Sequence, residues 1–274
     1  MRRMGMLMVL LGAVGVALDA QPHQAPGDLG PGDGRHEDRV HHGFGRARVE
    51  FTDCTEFAGL TAVPLANVRN RVPSQYLVAG EPDGLGVVVF RTASCDGVRV
   101  DGGRAEPGIV AQVGVNVVAP TGTGDINNYT LYFATDSFRL FLRLRLAGVN
   151  AMFVPELAYD YSPNPTGTGG MLLIDVPRPR RARYELGGIA FEPLASDPGF
   201  PFVANWWRSA RHGDVVMETS IPNIRFGDGA GVTVTVDPRS DLAGLLGSTT
   251  ASFPILAVRG VFAEATMEVR PEAF

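Results

Sequence analysis

From Val49 onward the sequence is written in short apolar stretches with period-two alternation, and most are closed by Gly, Pro, Asn or Asp. The strand candidates are 84–93, 108–120, 129–135, 170–177, 213–222, 230–237 and 255–269. Strands of this kind are half-buried, so each needs a second sheet or a closed sheet to cover its apolar face. So many in succession predict antiparallel sheet closed into a barrel or packed as a sandwich. Composition agrees: Gly 34 and Pro 20 supply turns, and 45% hydrophobic residues supply a core.

Two helices are expected to interrupt the sheet. In "TDSFRLFLRLRLAG" (135–148), Asp136 or Ser137 serves as N-cap and Gly148 as the stop. Phe138, Phe141, Leu142 and Val149 then share one face, although the alternating leucines 140, 142, 144 and 146 also permit a strand. The second helix lies in "DPRSDLAGLLGS" (237–248), with Leu242, Leu245 and Leu246 on one face.

The chain contains no lysine, so all 24 basic side chains other than histidine are arginine. No side chain can therefore form a Schiff base with a carbonyl substrate or with pyridoxal phosphate, and no Walker A lysine exists. A net charge of −5 without a basic patch argues against nucleic-acid binding. Neither "FGDGAG" (226–231) nor "PTGTGD" (120–125) fits a phosphate fingerprint, and both read as turns. No metal site, H-E-x-x-H or C-x-x-C spacing is present. A serine triad would have to use His212, which reads as a turn residue, and no G-x-S-x-G elbow accompanies it.

The first residues carry Arg2 and Arg3, an apolar run from Met4 to Leu18, and then Asp19-Ala20. This order is that of a secretory signal ending at Ala20, too short to span a membrane. Residues 21–47, rich in Gly, Pro, His and Asp, read as a linker, leaving 48–274 as one domain. Export would let Cys54 and Cys95, the only two cysteines, form a structural disulfide. The expected location is secreted or periplasmic, with no membrane span after cleavage.

"VPELAYDYSPNP" (154–165) concentrates Glu156, Tyr159, Asp160 and Tyr161 just after an apolar run. Two carboxylates could divide acid and base roles if burial separated their pKa values, although loop acids are usually solvated. In Trp206-Trp207, adjacent strand positions predict one ring in the core and one at the surface.

Two longer segments, "LANVRNRVPSQYLVAGEPDGLGVVVFRTASC" (65–95) and "NNYTLYFATDSFRLFLRLRLAGVNAMFVPELAYDYSP" (127–163), resemble the acetoacetate decarboxylase-like superfamily. That family carries a Glu-x-x-Gly/Ala-aromatic-Pro-Lys motif after a strand and a helix. Glu156 matches its glutamate, Ala158 its small residue and Tyr159 its aromatic. Asp160 stands in the proline position and Tyr161 in that of the Schiff-base lysine. The resemblance implies a barrel or cone with an enclosed cavity near Glu156.

The expected architecture is thus α+β and β-rich: antiparallel sheet closed into a barrel or cone, with an internal cavity and two short helices. The expected function is binding of a small organic ligand without Schiff-base decarboxylation and without a cofactor. Glu156, Tyr159, Asp160 and Tyr161 are pocket candidates, and Arg69 or Arg91 could pair a ligand carboxylate. Other readings are an acid–base enzyme using Glu156 with Tyr161, and an envelope protein whose pocket is filled by side chains.

Overall fold

Long strands with an apolar side on each face build the centre of the molecule. The computed structural model describes residues 45–81, 84–211 and 213–272; the expected signal segment, most of the expected linker and His212 lie outside these. The larger sheet contains β1 (Ala47–Pro64), β2 (Leu85–Val100), β3 (Glu106–Asn116), β4 (Ile126–Thr135) and the short β5 (Ala151–Phe153). It is completed by β9 (Phe200–Ala210), β10 (Gly213–Asp228) and β13 (Leu256–Glu272). Its order is β3-β2-β1-β13-β10-β9-β4-β5, and a further β3–β4 pairing closes seven of these strands into a barrel. A second sheet, β12-β11-β8-β7-β6, comprises β6 (Ala158–Pro163), β7 (Gly169–Val176), β8 (Tyr184–Phe191), β11 (Gly231–Val236) and β12 (Thr250–Ser252).

The barrel is mixed rather than purely antiparallel, because β4 runs parallel to both β5 and β9. Three α-helices occur among the described residues, one more than expected: α1 (Leu65–Arg69), α2 (Phe138–Leu146) and α3 (Asp241–Leu246). Ser137 caps α2 by accepting from the Leu140 N–H at 3.3 Å, while Asp136 Oδ1 accepts from the Ile109 N–H instead. The buried stripe of α2 is Leu140 and Leu144, not the expected Phe138 and Leu142, which are exposed. An i, i+4 pair suffices because this short helix touches the barrel with one edge only. Helix α3 follows its sequence, with Leu242, Leu245 and Leu246 buried, a Ser240 cap and left-handed Gly247 at its end.

Two apolar clusters result. One lines the barrel lumen and includes Val49, Phe51, Val89, Phe133, Trp206, Met217 and Phe262. The other lies between the outside of the barrel wall and the second sheet and includes Phe57, Phe90, Leu172, Ile174, Leu186 and Val234. The wall is therefore buried on both sides, which explains the tryptophans. Trp206 faces the lumen cluster and Trp207 the outer one, so both are buried, against the expectation of one surface ring.

Strict alternation breaks along one line across four strands. Phe51 and Cys54 are buried with two residues between them, and so are Cys95 and Val98, Ile221 and Ile224, and Phe262 and Ala265. Asp53 in this step has φ 50°, the left-handed region, as a bulge requires. The step brings Cys54 opposite Cys95 in the β1–β2 register, where they form a disulfide 2.11 Å long. Ala47, placed in the linker by composition, is already paired with Val269 in β1.

Candidate functional site

Strand β6 has the motif segment at its centre, and its pleat decides which residues meet the barrel. Tyr159 and Tyr161, two apart, turn toward the outer wall and pack against its apolar cluster. Asp160 between them is exposed. The Tyr159 hydroxyl lies 3.3 Å from Thr55 Oγ1 on β1, and the Tyr161 hydroxyl donates to the Ala190 carbonyl at 3.4 Å.

Beside the tyrosines sits Arg259 of β13, which pairs with Phe57 in the β1–β13 register. Only 6% of Arg259 is exposed. Its guanidinium carbon stands 3.9 Å from the centre of the Tyr161 ring, a cation–π contact. Nη1 donates to Glu192, just beyond β8, and is thus engaged, while Nε stays buried without a hydrogen-bond partner within the protein.

Burial pushes the Tyr159 hydroxyl up to about 12, partly opposed by Thr55 and Arg259. Burial also raises Tyr161, with Glu192 adding to the rise and Arg259 opposing it. Above pH 10 the unfolded chain releases the Tyr159 proton while the fold retains it, so stability falls as pH climbs from 10.0 toward about 12. At about 1.4 kcal/mol per unit the loss reaches roughly 3 kcal/mol, an upper value because the ring is partly exposed. Urea midpoints at pH 9 and 11.5 should separate less in Tyr159→Phe than in the parent; equal separations would place the proton release elsewhere.

The remaining sequence candidates occupy other places. Glu156 sits in a turn, is exposed, and pairs with Arg178 at 2.9 Å; no hydrogen bond or ion pair joins it to Tyr161. Arg69 holds the loop after α1, donating to the Tyr76 and Pro73 carbonyls and lying 3.6 Å from Glu81. Arg91 turns into the barrel, where Nε and Nη2 meet Glu56 Oε2 at 2.9 and 2.7 Å and Nη1 donates to Gln112 at 2.8 Å. Sequence reading missed Arg259, Glu192 and Thr55. Only the alternation around Phe57 and Arg259 hinted at them, and it becomes meaningful once the strand pairing is known.

No family model and no curated protein matches this chain. Among solved structures it is similar to an acetoacetate decarboxylase with TM-score 0.52 at 10% identity, covering 82% of this chain and 88% of that one. An acetoacetate decarboxylase from Legionella pneumophila aligns with TM-score 0.47 and 10% identity, over 81% and 84% of the two chains. An acetoacetate decarboxylase-like enzyme from Sphingomonas wittichii RW1 gives 0.46 and 12%, over 83% and 91%. At this level of identity the likeness is one of fold: the chain shares the overall fold of the acetoacetate decarboxylase it matches at TM-score 0.52.

Proposed function

We propose that the protein is exported and binds a small carboxylate-bearing organic molecule in the cleft at Tyr159, Tyr161 and Arg259, without Schiff-base chemistry. The observation that carries this reading is the buried Arg259 guanidinium, stacked on Tyr161 with its Nε lacking a partner. A carboxylate matches the Nε edge of such a fork with two parallel hydrogen bonds. The partly exposed Glu192 already holds the opposite edge, so Arg259 is fixed in position before a ligand arrives. Tyr161 supplies an aromatic face and a protonated hydroxyl where the decarboxylase motif has its nucleophile. An imine cannot form there, because the chain has no lysine.

Export is supported by the N-terminal charge and hydropathy pattern and by the disulfide. Among the described residues no helix is long and apolar enough to cross a membrane.

Calorimetric titration with pyruvate, acetoacetate and succinate, each against its methyl ester, tests the reading. Free acids should bind and esters should not, and Arg259→Gln should lower affinity by about 2–4 kcal/mol, roughly 30- to 1000-fold. Equal binding by Arg259→Gln, or no heat from any acid, would remove the cleft from consideration.

A further inference from the structure

The lumen side of the barrel wall carries a band of polar residues that the cleft does not use. Glu56 on β1 lies opposite Gly260 of β13, and its carboxylate holds Arg91 on β2. Arg91 is directly opposite Gln112 of β3 and bonded to it. Two residues on, Gly114 pairs with Thr130 of β4; Asn128 of β4 pairs with Trp206 of β9, and Trp206 with Met217 of β10. The band therefore passes from strand to strand around the wall.

Three of its polar atoms have no hydrogen-bond partner within the protein: Asn128 Nδ2, Thr130 Oγ1 and Trp206 Nε1. Their residues are 1%, 2% and 1% exposed. Asn128 Oδ1 accepts from Asn116 Nδ2 at 3.2 Å, which sets the amide with Nδ2 as its free end. An indole nitrogen and an amide nitrogen are donors only, so what they require is an acceptor. A fold does not ordinarily bury donors in this way unless something else meets them.

Charge narrows the class. Arg91 is neutralised by Glu56 and held by Gln112, so the band offers no free cation for an anionic ligand. Size narrows it further. The edge of the Trp206 indole already fills the space over Gly114, where a Cβ would stand 2.8 Å from it. Leu140 and Leu144 of α2 belong to the same lumen cluster.

We propose that the barrel lumen binds a small uncharged molecule, of the size of a simple amide or ketone, through an oxygen that accepts from Trp206 Nε1, Asn128 Nδ2 and the Thr130 hydroxyl. This site is separate from the Arg259 cleft and selects the opposite charge state.

The two indole N–H signals of ¹⁵N-labelled protein provide the test, with acetamide, acetone and acetate as probes. Trp207 donates to Asn127 Oδ1 at 2.9 Å and serves as the internal reference; Trp206→Phe assigns the other signal. Acetamide or acetone should shift the Trp206 signal saturably, leaving Trp207 in place, while acetate shifts neither. Thr130→Val should weaken the response about ten-fold, equivalent to about 1.4 kcal/mol for one hydrogen bond. Tyr161→Phe and Arg259→Gln should leave it unchanged, which separates this site from the cleft. A Trp206 signal unmoved by every probe, with a crystallographic water on its Nε1, would show a structural water only and overturn the proposal. An equal response to acetate would overturn the selection for an uncharged ligand.

Discussion

Replacing Glu56 with alanine is expected to destabilise the fold by about 3–5 kcal/mol, the cost of leaving one member of a buried ion pair alone. The Glu56 and Arg91 side chains are 3% and 11% exposed, and both nitrogens of one guanidinium edge meet a single carboxylate oxygen. Without Glu56, the charge on Arg91 would keep Gln112 as its only side-chain partner in the barrel interior. The double replacement Glu56→Leu with Arg91→Met removes both charges together and should cost much less, since apolar groups of similar volume can replace a buried pair with little loss. Urea unfolding at pH 7 distinguishes the cases. A single-variant loss below about 1 kcal/mol would mean that water reaches Arg91 and that the lumen is not sealed there.

Reducing the disulfide is expected to remove about 4 kcal/mol in the chain-entropy account of cross-links. The two cysteines are separated by 41 positions, so the bond closes a long loop of the unfolded chain. In the fold it joins β1 to β2 beside the bulge, where Asp53 leaves the regular ladder. Cys54→Ser with Cys95→Ser should therefore unfold at a lower denaturant concentration than the oxidised protein and match the reduced one. Coincident midpoints for oxidised and reduced protein would show that the native state, rather than the unfolded chain, bears the constraint.

How far the sequence leads depends on whether one side of an element faces water. Strand β11, exposed and buried at alternate positions, and helix α3, with one leucine face, were legible because water covers their other side. Strand β9 was not, since Asn205, Trp206 and Trp207 are all buried and leave no alternation to read. In β1, the buried Glu56 and the step at Asp53 break the apolar rhythm in the same way. The candidate site divides similarly. Tyr159 and Tyr161 share a face of β6 by spacing alone, and Cys54 and Cys95 were the only pair possible. Arg259 reaches Tyr161 only through the pairing of the last strand with the first, which no local pattern encodes. Glu156 shows the limit of motif matching: its position corresponds, but its side chain turns outward to Arg178.

The proposal that Arg259 and Tyr161 hold a small organic acid without covalent attachment is tested most directly by native mass spectrometry of the protein purified from its own host. The predicted result is a non-covalent adduct with the mass of a small organic acid, lost on mild activation and absent from Arg259→Gln. A clean unliganded mass, together with no thermal shift across a panel of small carboxylates, would contradict it and favour a structural role in which side chains fill the cleft.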